Sequence, residues 1–323
     1  PTPRRTALPS GITVKQAAGN LRYNCAMHTV VAVLRGGPSR EYDVSLKTGA
    51  SVLEALDKEK YEPRDIFIDR NGQWHMHGIG VAPEKALFGA DVAFNALHGH
   101  YGEDGEVQHL LEQIGIPYTG SGTVASATAF NKQQTKDIAK KLGVKVAHGV
   151  VVENTRNIEA LAHNIFRTFP HPAIVKPVTG GSSHGTTIAE NFAQLERALA
   201  AAFDYAPQAL VEEYIKGKEA TVGVVNDFRN EKTYALLPTP HEVLSQKEKN
   251  GLVAIAKKIH DGLGLSHYSE SDFIVSKRGI YFLEVNTLPN LSKESLFHKS
   301  LNVVGSSLSH FIDHVIGLAR NKR

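Results

Sequence analysis

Three short runs of β-branched and aromatic residues most constrain the fold of the first hundred residues. They occupy positions 30–34, 62–68 and 92–96, and a helical pattern of apolar residues follows the first run. Strands that alternate with helices in this way predict βαβ units and a parallel sheet. Glycine-rich loops follow the first and third runs, at 35–39 and 97–105. Because ligands bind at the carboxyl ends of parallel strands, we expect these loops to face a ligand.

Length and composition narrow the class of protein. The chain has 323 residues, which is enough for two or three domains. Its 36 basic and 33 acidic residues nearly balance, and the basic ones are dispersed, which argues against nucleic acid as the main partner. The single cysteine, Cys25, excludes a disulfide within the chain and a cysteine metal site. No apolar run reaches the roughly 20 residues of a membrane helix, so the expected compartment is the cytoplasm.

The first 26 residues differ in composition from the rest of the chain. They carry several basic residues but no apolar run of the kind found in a secretory signal, and Met27 directly precedes the first strand. We expect residues 1–26 to be a disordered leader or an extension.

The run at 280–286 has the composition of a strand. Side chains two apart on a strand share a face, so Glu284 and Asn286 point the same way. Asp272 begins the preceding apolar run and joins them if the two runs pair through a turn at 276–279. Carboxylate and amide oxygens are the ligands that Mg²⁺ prefers beside substrate phosphates. The alternative is a plain strand with a solvated polar edge, because a Glu-x-Asn pattern alone is common.

The middle of the chain contains features that suit a nucleotide. A strand pattern at 173–176 ends in a lysine and runs into a glycine-rich loop at 178–185, whose N–H groups can cradle phosphate oxygens. Neither a Walker A motif nor a dinucleotide fingerprint is present. The strand at 209–215 can offer backbone groups to an adenine edge, with a carboxylate further on for ribose; alone, it is equally a plain edge strand.

The same glycine-rich loop permits a second interpretation. GSSHG at 181–185 satisfies G-x-S-x-G, and Asp272 followed by His298 or His310 gives the order of an α/β-hydrolase triad. A nucleophile elbow requires a helix after the serine, whereas residues 186–189 have a strand pattern. The hydrolase is therefore the weaker hypothesis.

Two histidines in the loop at 97–105 also allow two interpretations. His98 and His100 could bind a metal, but two histidines without further ligands are more often hydrogen-bonding loop residues.

Helices are predicted at several places by apolar periodicity. Residues 126–142 form one such pattern, and Ser245 with Glu248 forms a capping box that opens a helix ending near Leu263. The last pattern, 306–320, has one apolar face that we interpret as core packing only.

Five groups of motifs occur in an order that identifies a family. They are GGPSRE at 36–41; ALHG at 96–99 with GEDG at 102–105; PYTGSG at 117–122 with NK at 131–132; IVKP at 174–177 with GSSHG at 181–185; and FLEVNTLP at 282–289. Together the motifs resemble the D-alanine–D-alanine ligases of the ATP-grasp superfamily, over nearly the whole chain from Met27. The resemblance implies an α/β and α+β protein, with a parallel-sheet α/β domain at 27–121 before an ATP-grasp fold. The central ATP-grasp subdomain would span 122–213, and the carboxyl-terminal subdomain with the metal site would span 214–323.

The resemblance also implies roles for individual residues. The ATP ligands fall into groups for phosphates, adenine and ribose, in that order: Lys132 and Lys176; Glu212, Tyr214 and Ile215; Glu219. Two Mg²⁺ ions, with Mn²⁺ as an alternative, would be held by Asp272, Glu284 and Asn286. The catalytic residues that surround the first alanine would be Glu41, His98 and Ser182. The carboxylate of the second alanine would lie at Ser295 and Leu296.

The implied activity is ATP-dependent synthesis of D-alanyl-D-alanine for peptidoglycan, through an acyl phosphate. The substrates would be D-alanine and ATP, and the family implies a cytoplasmic homodimer with no nucleic acid or membrane partner.

Three departures from the family pattern concern the acceptor side. Glu270 stands where the family has an arginine that holds the oxyanion, and Asn290 stands where it has a glycine. Only residues 238–244 remain of a mobile loop that carries a Tyr-Lys pair. The departures allow two other hypotheses: a ligase for a different acceptor amine, and a nucleotide-binding homologue with weak or no ligase activity.

Overall fold

The computed structural model describes residues 28–181, 185–240 and 242–321. The predicted leader at 1–26 and the candidate residue Ser182 lie outside these ranges. The described chain forms three sheets.

The first sheet follows the predicted βαβ pattern. Its elements are β1 (Thr29–Gly36), α1 (Tyr42–Ala55), β2 (Tyr61–Ile68), β3 (Trp74–Met76), β4 (Ile79–Gly80), α2 (Pro83–Leu87), β5 (Val92–Asn95) and α3 (Glu106–Ile114). The strand order is β4-β3-β2-β1-β5, and β1 pairs in parallel with both β2 and β5, as predicted. The antiparallel edge formed by β3 and β4 was not predicted. These strands have three and two residues, which is too short to give a recognisable sequence pattern.

The helix predicted over 126–142 is wrong as a single element. The chain forms α4 (Thr123–Phe130) and α5 (Lys132–Lys141), separated at Asn131. Asn131 has extended dihedral angles, and its side-chain oxygen accepts a hydrogen bond from the Gln134 N–H at 3.0 Å. A side-chain cap of this kind starts a new helix, and it places Lys132 at the first position of α5.

The second sheet is antiparallel throughout. Its elements are β6 (Gly149–Glu153), α6 (Ile158–Thr168), β7 (Ala173–Pro177), β8 (Thr187–Ala189), α7 (Phe192–Phe203) and β9 (Gln208–Glu213). The strand order is β6-β9-β7-β8. Because the element after the glycine-rich loop is a strand, the nucleophile elbow required by the hydrolase hypothesis is not formed.

The third sheet carries the predicted pair of strands. Its elements are β10 (Lys218–Phe228), β11 (Glu231–Ala235), β12 (Thr239–Pro240), α8 (Gln246–Gly262), β13 (Tyr268–Ser276), β14 (Gly279–Asn286), α9 (Leu296–Val303) and α10 (Leu308–Asn321). The strand order is β11-β10-β13-β14, and β13 pairs with β14 in the antiparallel sense. None of the described helices combines the length and the apolar character of a membrane-spanning segment.

A shared core joins the first and third sheets, whereas the second sheet packs with α6 and α7 in a core of its own. The apolar face of α10, which includes Phe311 and Val315, packs in one core with Val33 of β1 and Phe94 of β5. The helices α4 and α5 pack instead against β14 in the core of the third sheet. This second contact brings the start of α5 over the polar end of β14.

The capping box of α8 provides a stability test. The Ser245 hydroxyl accepts from the Glu248 N–H, and the Glu248 carboxylate accepts from the Ser245 N–H at 2.6 Å. We expect Ser245→Ala to lower the free energy of unfolding by about 1 kcal/mol, because the Glu248 N–H loses its acceptor and the Glu248 carboxylate loses the hydrogen bond from the hydroxyl. Urea denaturation of Ser245→Ala and Ser245→Thr measures this. The Thr variant keeps a hydroxyl that can accept from the Glu248 N–H and donate to the Glu248 carboxylate, and it should stay close to wild type; equal losses in both would contradict the capping role.

Candidate functional site

Four polar side chains share one face of the β13–β14 pair. Glu270 lies opposite Asn286, and Asp272 lies opposite Glu284, in an antiparallel pairing whose register shifts between Asp272 and Phe273. Opposed residues on paired strands lie on the same face. The Thr221 hydroxyl of β10 donates a hydrogen bond to Asp272 at 2.6 Å. The predicted oxygen ligands therefore converge, together with Glu270.

The charges of this face are only partly compensated. Burial, and then the neighbouring Glu284 carboxylate, raise the pKa of Asp272 to about 7. Burial and the Asp272 carboxylate raise the pKa of Glu270 to about 8. Burial alone would raise the pKa of Glu284. The positive charges of nearby lysines, chiefly Lys132 and Lys176, outweigh this effect and lower the pKa. A group of oxygens with this excess of negative charge fits a divalent cation.

Lysines approach the carboxylates from the central part of the chain. The Lys132 ammonium lies 3.2 Å from Glu284 Oε2 and also donates to the Gly180 carbonyl. The Lys176 ammonium, on β7, lies 2.6 Å from Glu212 Oε2 on β9. The antiparallel pairing of β7 with β9 produces the second contact.

A cleft of about 420 Å³ separates the second sheet from the third. The predicted ATP and metal ligands that line it are Lys176, Glu212, Tyr214, Ile215, Glu219, Asp272 and Glu284. Lys132 and Asn286 line a smaller adjoining cavity, to which Glu284 also contributes. Glu284 thus lines both the cleft and the adjoining cavity. The structure brings the predicted ATP and metal ligands named above close together.

The first sheet contributes a pair of buried carboxylates. Glu41 precedes α1 and is 5% exposed. Gly181 of the glycine-rich loop lies so close to it that a β-carbon at this position would be 2.8 Å from Glu41 Oε1. Glu103, which sequence reasoning missed, is equally buried and accepts hydrogen bonds from the Gly99 and Leu288 N–H groups. Burial and the Glu41 carboxylate raise the pKa of Glu103 to about 8.

This raised pKa predicts a pH-dependent stability. The folded protein holds the Glu103 proton more tightly than the unfolded chain, so the contribution is complete below the ordinary value of 4.5 and is lost as pH rises through about 8. As pH rises from about 5 to about 8, we expect the free energy of unfolding of Glu103→Gln to increase relative to that of wild type. The increase should be a few kcal/mol, on the order of the linkage energy.

Denaturant unfolding of both proteins at the two pH values measures the change. The exposed Glu106→Gln, at the start of α3, is the matched control and should follow wild type. A constant difference between Glu103→Gln and wild type would contradict the assignment.

The histidines of the same loop have separate environments. His98 is buried, its Nε2 lies 2.8 Å from the Thr48 hydroxyl, and burial lowers its pKa to about 4. His100 Nδ1 lies 3.2 Å from the half-buried Asp104, in a group of possible metal ligands that also includes Glu106. His98 is not part of that group, so the two histidines do not form a common metal site among the described residues.

Ser295 and Leu296, which were predicted to lie at the carboxylate of the second alanine, are at the start of α9. Ser295 caps this helix by accepting a hydrogen bond from the His298 N–H, and Leu296 is the first helical residue. The short connection before α8 is tied down: the Thr239 hydroxyl lies 2.6 Å from the Ser300 hydroxyl. The Lys218 ammonium donates to the Val243 carbonyl at 2.9 Å.

The hydrolase triad is absent from the described chain. Asp272 bonds to Thr221, whereas His298 Nδ1 lies 3.4 Å from the Leu291 carbonyl oxygen. His310 Nδ1 lies 3.1 Å from the Ser306 hydroxyl.

Two family models match this chain on both sides of the site. One, described as D-ala D-ala ligase N-terminus, matches residues 30–86 and 78–121. The other, D-ala D-ala ligase C-terminus, matches residues 138–239 and 229–317. The chain belongs to the D-alanine–D-alanine ligase family.

Individual members of the family align over most of the chain. A D-alanine–D-alanine ligase of Geobacter sulfurreducens is 36% identical over 89% of this chain and 93% of its own length. A solved D-alanine–D-alanine ligase of Bacillus anthracis, complexed with ATP, has a TM-score of 0.75 and 28% identity, covering 91% of this chain and 99% of its own. A solved D-Ala:D-Ser ligase of Enterococcus faecalis has a TM-score of 0.78 and 26% identity, covering 90% and 99%. The ATP-grasp fold expected from the sequence is confirmed.

Proposed function

We propose that the protein is an ATP-dependent ligase that joins two D-alanines for peptidoglycan synthesis. The observation that carries this proposal is the convergence of lysines and oxygen ligands on one cleft. Lys176 lines it from the central part of the chain, and Asp272 and Glu284 line it from the third sheet. Lys132 contacts Glu284 from the adjoining cavity. A triphosphate with its cations requires this combination of charges.

The first half of the reaction activates a carboxylate. A free carboxylate is a poor electrophile because its oxygen cannot leave, and transfer of the γ-phosphoryl group of ATP gives an acyl phosphate that loses phosphate readily. Mg²⁺ held by Asp272, Glu284 and Asn286 would neutralise charge on the phosphates. Lys132 and Lys176 would hold phosphate oxygens, and Tyr214 and Ile215 would hold adenine with Glu212, with Glu219 at the ribose.

The first alanine would bind beside the two carboxylates of the first sheet. An ammonium placed against Glu41 and Glu103 would relieve the repulsion that raises the pKa of Glu103. His98, kept neutral by burial, would lie near the substrate carboxylate. The role of Ser182 in this subsite stays a prediction.

The second alanine would bind at the start of α9. Its carboxylate would meet the N-terminus of this helix at Ser295 and Leu296, where the N–H groups and the helix dipole favour an anion. Its amine would attack the acyl phosphate, and the resulting oxyanion needs hydrogen-bond donors. Glu270 supplies a carboxyl group at the position where the family has a guanidinium.

A second candidate function follows from that substitution. A related ligase with a different acceptor would share the phosphorylation site and differ on the acceptor side. Glu270 and the short connection at 238–244 favour this candidate. The similar structure from Enterococcus faecalis is named a D-Ala:D-Ser ligase, so a protein with this fold is named for an acceptor other than D-alanine.

A single assay separates the candidates. The protein is incubated with ATP, Mg²⁺ and a panel of D- and L-amino acids, and both phosphate and dipeptide are followed. Dipeptide from D-alanine alone supports the first proposal, and a mixed dipeptide supports the second. ATP binding without either product would indicate a nucleotide-binding homologue. The cytoplasmic location and the homodimer stay predictions.

A further inference from the structure

A third lysine lies next to the cleft without being part of its wall. Lys136, on α5, is 2% exposed, and its ammonium lies 2.6 Å from Glu212 Oε1. The other oxygen of the same carboxylate lies 2.6 Å from the Lys176 ammonium. Glu212 thus bridges two lysines, one through each oxygen.

The two lysines contact different oxygens of this carboxylate. Lys176 and Glu212 line the 420 Å³ cleft, whereas Lys136 is not among the described residues that line it. Lys136 therefore contacts Glu212 from behind, that is, from outside the described wall of the cleft. Its position one turn after Lys132 on α5 follows from the four-residue spacing.

The charges of the three groups do not cancel. Burial and the Lys176 charge lower the pKa of Lys136 to about 8, so the lysine keeps most of its proton at neutral pH. Burial alone would raise the pKa of Glu212, but the positive charges of Lys176 and Lys136 outweigh this effect and lower it. One carboxylate between two ammonium groups leaves a net positive charge, and in a buried setting such charges interact strongly.

We propose that Lys136 is a positioning residue that neutralises Glu212 from behind and so leaves the Lys176 ammonium available to the phosphates of the nucleotide. Without Lys136, the pair formed by Glu212 and Lys176 would be neutral, and Lys176 would be held by its partner. This role rests on the proposed binding of ATP in the cleft. Glu212, which is also placed at the adenine, stays paired with Lys176 when Lys136 is removed, so the change acts on the phosphate end of the nucleotide.

The test compares Lys136→Met with Lys141→Met, which makes the same substitution at an exposed position of α5. Calorimetry with Mg²⁺ measures the dissociation constants of ATP and of adenosine. We expect Lys136→Met to weaken ATP binding at least about tenfold while adenosine binding stays near wild type. Equal weakening of both ligands, or no weakening of ATP, would overturn the inference. A wild-type protein that binds neither ligand would instead refute the proposed function.

A second variant separates positioning from a contribution to folding. In Glu212→Gln the carboxylate charge is gone, so Lys176 no longer needs Lys136. Adding Lys136→Met to Glu212→Gln should therefore leave the ratio of ATP affinity to adenosine affinity unchanged. This double variant removes a buried ion pair as a whole, which proteins tolerate better than the loss of one partner. A tenfold fall of the ratio in this background as well would refute the role through Glu212.

Discussion

Glu284→Ala is expected to lower ATP turnover by at least about 10³-fold. Glu284 lies opposite Asp272, 3.2 Å from the Lys132 ammonium, and it lines both the cleft and the adjoining cavity. Its removal takes away one oxygen ligand and leaves Lys132 without its carboxylate partner. The transition state would lose several kcal/mol of charge stabilisation. Each loss of about 1.36 kcal/mol lowers the rate tenfold.

Phosphate release from ATP, followed with saturating Mg²⁺ and D-alanine, measures this loss. Glu231→Ala, a glutamate of the same sheet that is exposed and pairs with Lys257, is the matched control and should keep the wild-type rate. Lys176→Ala should show a loss as large as that of Glu284→Ala. A normal rate in either variant would remove that residue from the phosphate or metal site.

Glu270→Arg is expected to raise dipeptide synthesis by about 10²-fold. Glu270 shares the face of Asp272, Glu284 and Asn286, so a guanidinium placed there would point toward the reacting groups. The tetrahedral intermediate carries an oxyanion, and loss of one donor to such an oxyanion costs about 10²–10³ in rate. Arginine also removes the carboxyl group that Asp272 repels.

Glu270→Gln is the control, because it replaces the ionisable carboxyl group by an amide of similar size that is only a weak donor. Dipeptide and phosphate are measured together for wild type and both variants. We expect the ratio of dipeptide to phosphate to rise most in Glu270→Arg. Unchanged or slower dipeptide synthesis in that variant would mean that another group already stabilises the oxyanion, or that the acceptor is not D-alanine.

The strand pair that carries the oxygen ligands could be predicted because its geometry is local. Side chains alternate along a strand with a period of two, so the spacing of Glu284 and Asn286 fixes their common face. The position of Asp272 could not be predicted from the turn at 276–279 alone. A regular hairpin would place Leu283 opposite Asp272, whereas a register shift between Asp272 and Phe273 places Glu284 there.

Glu103 and Lys136 could not be predicted in the same way. Glu103 lies within the GEDG motif at 102–105, but the motif gave it no role of its own. Lys136 stands in no recognisable ligand spacing, and both residues acquire their roles from partners distant in sequence. Glu103 receives a hydrogen bond from Leu288, and Lys136 contacts Glu212 only because α5 packs near the second sheet. Their signal in the sequence is a charged residue at a position that the fold buries, and burial depends on the packing of all three sheets.

A crystal structure with Mg²⁺ and a non-hydrolysable ATP analogue would decide whether the lysines and the oxygen ligands serve one triphosphate. We expect phosphate oxygens within hydrogen-bonding distance of the Lys132 and Lys176 ammonium groups. We also expect Mg²⁺ at about 2.1 Å from oxygens of Asp272, Glu284 and Asn286, on the same triphosphate. A triphosphate that touches the lysines while the three oxygen ligands face a different cavity would contradict this arrangement.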